Sequence, residues 1–193
     1  MDGYPHGFSG GMCQRAAIAI ALASDPELLI ADEPTTAVDV TVQARLIELL
    51  RELTDGGMAV LLITHDLRVA AALADRLLVM YGGTIVERGP LEELFDRPAH
   101  PYTQALFESY AGRSSDGDRT ARGDIPADGC RFRAECPHAV NACDGGEQPP
   151  TRAVDGRESH GVSCVHYGPD CDPTSILTDA AAMGPISTEE ADD

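Results

Sequence analysis

The amino-acid sequence predicts an α/β fold with parallel strands, a terminal hairpin and a small cysteine-rich C-terminal extension. Two short apolar runs, ELLIAD (27–32) and MAVLLIT (58–64), flank a helical pattern. Gly82-Gly83 separates two further strand-like runs. Five of the six cysteines lie beyond residue 129, which marks them as a distinct module.

Residues 10–24, GGMCQRAAIAIALAS, are rich in helix formers and follow Ser9, a good N-cap. ELLIAD reads as a fully buried strand, being a continuous apolar run between Asp25-Pro26 and an acidic turn. Asp39 can cap the next helix, where Val42, Leu46, Leu49, Leu50 and Leu53 recur at helical spacing and Gly56-Gly57 closes the end. MAVLLIT is a second buried strand, and a short helix over about 67–74 leads into RLLVMYGGTIVERG, a hairpin about its glycine pair. A strand, helix, strand order favours a parallel first pair, whose carboxyl ends carry Asp32, Glu33 and His65. LEELFDRPAHPYTQALFES suggests two short helices interrupted by Pro98 and Pro101. The expected partition is a main domain over 1–110, a polar linker over 111–129, the cysteine-rich extension over 130–167 and an acidic, disordered tail over 168–193.

Acidic residues number 32 against 14 basic ones, all of them arginine, for a formal charge of -18. Such a field repels nucleic acid and anionic membranes, and it suits adaptation to high salt. No window reaches the roughly 18 apolar residues that span a bilayer, and the first residues lack a secretory pattern, so a cytosolic location is expected. In that compartment clustered cysteines bind metal or carry redox chemistry more often than they form disulfides.

An aspartate ending a buried strand can hold magnesium, and a following glutamate can orient and deprotonate a water for attack on phosphorus. Asp-Glu alone is more often an acidic turn, but here it lies inside LLIADEPTTAVD. Ser9-Gly10-Gly11 at a helix start offers a hydroxyl, open N–H groups and the positive end of a helix dipole to an anion. Alone it would be an ordinary N-cap. His65 after an apolar strand can hydrogen-bond a terminal phosphate.

FSGGMCQR, LLIADEPTTAVD and ITHD follow one another within residues 8–66. This order resembles the ATP-binding subunit of ABC transporters, a P-loop NTPase family. The resemblance implies a signature loop (Ser9, Gly10, Gly11, Gln14), a Walker B strand with magnesium-associated Asp32, a catalytic Glu33, a D-loop ending at Asp39 and a switch histidine at His65. YPHGFSGGM, VMYGGTIVERGP and DRPAHPYTQAL, with a four-cysteine segment behind them, resemble the oligopeptide, dipeptide and nickel importer branch. Cys13 and Phe8 depart from the arginine and leucine usual there, without removing a phosphate contact.

That branch implies ATP and magnesium as cofactors and import of peptides, with nickel the alternative cargo. It implies a second ATP-binding subunit, forming a heterodimer, and two membrane permeases that hold the protein on the inner face of the membrane. A substrate-binding protein acts indirectly; nucleic acid is not a partner.

Cys130, Cys136, Cys143 and Cys164 are separated by five, six and twenty residues, and four thiolates can fold a core-poor segment around a metal. The family extension implies a four-iron four-sulfur cluster, and structural zinc competes, although closely spaced cysteine pairs are absent. The chain holds no lysine, so it contains no Walker A loop, and the glutamine loop that precedes the signature is missing too. A truncated or fragmentary subunit, inactive alone as an ATPase, is expected. A catalytically dead metal-binding or interaction remnant is the alternative.

Overall fold

A computed structural model describes residues 10–36, 38–111 and 124–177. The chain divides into two compact units between Ala74 and Asp75.

The first unit runs α1 (Gly10–Leu22), β1 (Leu28–Asp32), α2 (Val40–Asp55), β2 (Ala59–Ile63) and α3 (Leu67–Leu73). The strands pair in parallel, from Leu28 opposite Ala59 to Asp32 opposite Ile63. Asp39 caps α2 by accepting the Val42 N–H at 2.9 Å, and Gly57, at φ 94°, turns the chain toward β2. Leu46 and Leu50 of α2 bury against Leu29, with Ile18, Leu53, Met58, Val60 and Leu73 around them. This apolar stripe fixes one face of the sheet, as the spacing predicts.

The expectation of fully buried strands is corrected. Leu28 and Ile30 are 53% and 61% exposed, and Leu61 and Ile63 are 46% and 47% exposed. Side chains alternate across a strand, so α2 covers only one set, and no described residues cover the other.

The second unit begins with β3 (Arg76–Tyr81) and β4 (Thr84–Pro90), then α4 (Leu91–Asp96) and α5 (Pro101–Tyr110). Gly82 and Gly83 both have positive φ, as the hairpin demands. His100 caps α5 through Nδ1, which accepts the Tyr102 N–H at 3.0 Å, and Pro101 opens the helix. Beyond the cysteines, β5 (Arg152–Val154) and β6 (Arg157–Val162) form another hairpin, and a short α6 (Thr174–Leu177) follows. The strands make one antiparallel sheet in the order β3-β4-β6-β5.

The strand that follows the cysteine-bearing segment joins the first hairpin, where Glu87 of β4 pairs with Val162 of β6. Tyr81, Tyr102 and Phe132 pack ring to ring at 4.7 to 5.4 Å, joining hairpin, α5 and cysteine segment. Order also extends past residue 168: Ile176 is fully buried with Ala99, Val154, Val162 and Cys164. Ile176, an apolar residue inside an acidic stretch, supplies that anchor. Among the described residues no helix is long and apolar enough to cross a membrane.

Candidate functional site

The carboxyl ends of β1 and β2 bring Glu33 and His65 together. The Glu33 N–H donates to the Ile63 carbonyl at 2.8 Å, so strand pairing continues through the residue that carries the carboxylate. Its φ of 45° lies in the left-handed region, which turns the chain sharply as it leaves the strand. The side chain then reaches the first residues after β2. Glu33 Oε1 accepts the His65 backbone N–H at 3.1 Å and lies 2.8 Å from His65 Nδ1.

Thr36 completes the arrangement by donating its hydroxyl to Glu33 Oε2 at 3.0 Å. The Thr36 N–H donates to the Glu33 carbonyl at 3.2 Å, closing a turn over the proline. Residues three apart in DEPT therefore face each other, a contact that the Thr-Thr pair hinted at only as part of a motif.

The hydrogen bond from His65 holds the Glu33 carboxyl below the usual carboxylate range, with Thr36 and the His65 charge adding to it against a desolvation effect. Reciprocally, the hydrogen bond and charge of Glu33 raise His65 above an ordinary imidazole. The His65 ring is 82% exposed and the Glu33 side chain 35%, so the pair faces outward.

Asp32 ends β1 on the exposed side of the strand. Asp39 is seen as the cap of α2. Asp66 caps α3 through the Arg68 N–H at 2.8 Å and receives Gln43 Nε2 at 3.4 Å, a tie between α2 and the loop after β2 that the sequence did not disclose. Gly10, Gly11 and Gln14 lie in the first turns of α1, with Gly11 against Val42 and a buried Gln14 Oε1 that has no hydrogen-bond partner among the described residues. Ser9, the expected N-cap, lies outside the described residues.

The expected iron-sulfur or zinc centre is not assembled in the structure: among the described residues no group of three or more His, Cys, Asp or Glu side chains is placed to hold a metal ion. Cys130, Cys143 and Cys164 are buried and Cys136 partly so. Burial pushes the Cys136 thiol up to about 11 and Cys164 up to about 12, with the neighbouring cysteines adding to the shift. Burial likewise raises the Cys130 thiol, against backbone N–H groups that hydrogen-bond its sulfur.

The family model described as ABC transporter matches residues 1–36, and the one described as the C-terminal region of oligopeptide/dipeptide transporters matches residues 86–143. A peptide import ATP-binding protein of Brucella abortus (strain 2308) is 51% identical over 151 residues, covering 74% of this chain and 46% of the relative. The dipeptide transport ATP-binding protein DppD of Escherichia coli (strain K12) is 47% identical over 167 residues, covering 82% and 51%. Among solved structures, a dimeric ATP-binding cassette in a post-hydrolysis state with ADP and Pi matches at 35% identity and a TM-score of 0.44, covering 47% of this chain and 39% of that one.

With a DEPTT turn bearing a glutamate-histidine pair and these relatives, the chain belongs to the ATP-binding proteins of ABC transporters. Within that class it falls in the oligopeptide/dipeptide branch, whose C-terminal region it carries over residues 86–143. It spans about half the length of the curated relatives it matches.

Proposed function

We propose that the chain works as part of an ATP-hydrolysing subunit that energises import of oligopeptides or dipeptides. The observation that carries this reading is the Glu33-His65 pair at the ends of two parallel strands, 2.8 Å apart. In α/β folds ligands meet the sheet at that end.

Glu33 is the general base for the attacking water, its carboxyl kept ionised by His65. His65 bridges base and nucleotide: Nδ1 faces Glu33, which leaves Nε2 to address a terminal phosphate. Asp32 would hold magnesium, which when bound neutralises charge on the phosphates. Gly10, Gly11 and Gln14, with Ser9, are read as the signature surface offered to a nucleotide on a second ATP-binding subunit, and Asp39 as the end of the D-loop between them. Two permeases at the inner membrane face and a substrate-binding protein complete the proposed system, with nickel import the alternative within the branch.

The 193 residues contain no lysine, so they do not supply the Walker A lysine that grips the β and γ phosphates. Turnover thus requires a Walker A segment from outside them. The test compares ATP hydrolysis by the chain alone and by the chain supplemented with a Walker A-bearing N-terminal portion from a relative. Negligible turnover alone and turnover abolished by Glu33→Gln in the supplemented sample is the expected result. Equal, Glu33-independent hydrolysis in both sinks the reading and leaves an inactive remnant.

A second reading concerns the extension. Neighbouring cysteines, Cys143 among them, help raise the thiols of Cys130, Cys136 and Cys164, and the N–H groups of Phe132, His138 and His166, each two residues beyond a cysteine, hydrogen-bond the sulfurs of those three. N–H donors on sulfur favour thiolate ligation, so a rearranged four-cysteine site for an iron-sulfur cluster is proposed, with zinc the competitor. Anaerobic reconstitution with iron and sulfide should give brown protein. Colourless protein carrying one zinc would overturn the cluster in favour of zinc.

A further inference from the structure

We infer that Glu33 Oε2 is the oxygen that takes the proton from the attacking water, and that Thr36 is the positioning residue that aims it. This deepens the hydrolysis reading above and rests on it. A carboxylate offers about four lone-pair sites, two on each oxygen. On Oε1 both are taken, by the His65 backbone N–H at 3.1 Å and by Nδ1 at 2.8 Å. On Oε2, among the described residues, one is taken, by the Thr36 hydroxyl at 3.0 Å. The site left for a water is therefore on Oε2, beside the Thr36 oxygen.

The backbone makes this aim dependent on the side chain of Thr36. Glu33 leaves β1 at φ 45°, a conformation that glutamate seldom adopts, so the carboxylate direction is held by what grips it at its far end. His65 grips one oxygen and leaves the side chain free to pivot about it between rotamers; Thr36 grips the other and closes that motion. The turn hydrogen bond from the Thr36 N–H to the Glu33 carbonyl, at 3.2 Å, keeps the hydroxyl within reach. In the proton transfer a water O–H bond breaks, the freed electron pair forms the bond to the γ-phosphorus of ATP while the bond from that phosphorus to the β–γ bridging oxygen breaks and ADP leaves with its electron pair, and the proton passes to Oε2 while both grips stay in place.

Thr36→Val keeps the shape and removes the donor, whereas Thr36→Ser keeps the donor. The first readout is Glu33 side-chain order by NMR scalar couplings in this chain. One dominant rotamer is expected in the parent and in Thr36→Ser, and averaged couplings in Thr36→Val, with unchanged thermal midpoints. Averaged couplings in the parent, or a fixed rotamer in Thr36→Val, would overturn the positioning role.

The second readout is ATP turnover in the supplemented sample. Losing one orienting hydrogen bond should lower kcat about tenfold in Thr36→Val with KM unchanged, and Thr36→Ser should recover most of it. A raised KM with unchanged kcat would overturn it as well. Parent-like turnover of Glu33→Gln in that sample would bring down the hydrolysis reading itself, whereas the rotamer result judges Thr36 independently of any turnover.

Discussion

Glu87 Oε1 lies 2.7 Å from His160 Nε2, and both side chains are all but inaccessible to solvent. The same carboxylate accepts the Ala99 and His100 N–H groups at 2.8 Å each. One buried acid thus ties β4, the start of α5 and the incoming β6 to a single point.

Removing that acid leaves three donors without an acceptor. Glu87→Ala should destabilise the second unit by about 3 to 5 kcal/mol, the usual cost of breaking a buried charged network. Glu87→Gln, which keeps one accepting oxygen, should cost less. Chemical denaturation followed by tyrosine fluorescence from Tyr81 and Tyr102 measures both, and equal stability of Glu87→Ala and parent would show that the network contributes nothing net.

Acid should act through His100, whose ring burial pushes down to about 4, partly opposed by the Glu87 charge. A histidine at its ordinary value near 6.5 in the unfolded chain binds a proton that the folded chain refuses. The unfolded state therefore gains protons first, and stability falls as pH drops from about 6.5 to about 4, then levels off. The full effect is on the order of 3 kcal/mol. His100→Asn retains a side-chain acceptor for the Tyr102 N–H and should flatten this part of the pH profile of the denaturation midpoint.

At the candidate site the coupling runs the other way. Glu33 favours the charged form of His65, so Glu33→Gln should lower the His65 titration midpoint toward an ordinary imidazole. His65→Ala should correspondingly bring the Glu33 carboxyl up from its lowered value. Histidine and carboxyl chemical shifts followed through pH report both directions, and independent midpoints would mean that the two side chains part in solution.

The open face of the β1-β2 sheet should make the chain self-associate. Ile30→Thr with Leu61→Thr replaces two exposed apolar groups by β-formers that tolerate water. Sedimentation should show less association at unchanged thermal stability. A loss of stability would mean that these side chains are covered in solution.

Salt should stabilise the protein. With a net charge of -18, repulsion opposes the compact state, and raising ionic strength from about 0.1 to 1 M shortens the screening length from about 10 to 3 Å. The thermal midpoint should rise over that range, and a flat response would assign the acidic surface no energetic role.

Much of the first unit was legible because its signals are local. Asp39 as a cap, the leucines of α2 and the glycines after them each act within a few residues, and the structure follows them. The Gly82-Gly83 hairpin was equally direct. Strand burial was misread because a continuous apolar run cannot reveal whether one layer or two will cover it. The β5-β6 hairpin was missed although Asp155-Gly156, both at positive φ, is a strong turn signal, since the polar RESHGV following it does not look like a strand. At the site, Glu33 and His65 were readable as motif residues. The Thr36 and Gln43 contacts were not, because they depend on turn geometry and helix rotation that spacing does not encode.

The left-handed backbone at Glu33 sets two selections against each other at one position. A φ of 45° costs a glutamate roughly 1 to 2 kcal/mol that glycine would not incur. A library screened only for thermal resistance should therefore enrich Glu33→Gly, while one screened for turnover should discard it. Residue 33 is where a stability optimiser and an activity optimiser would write different letters.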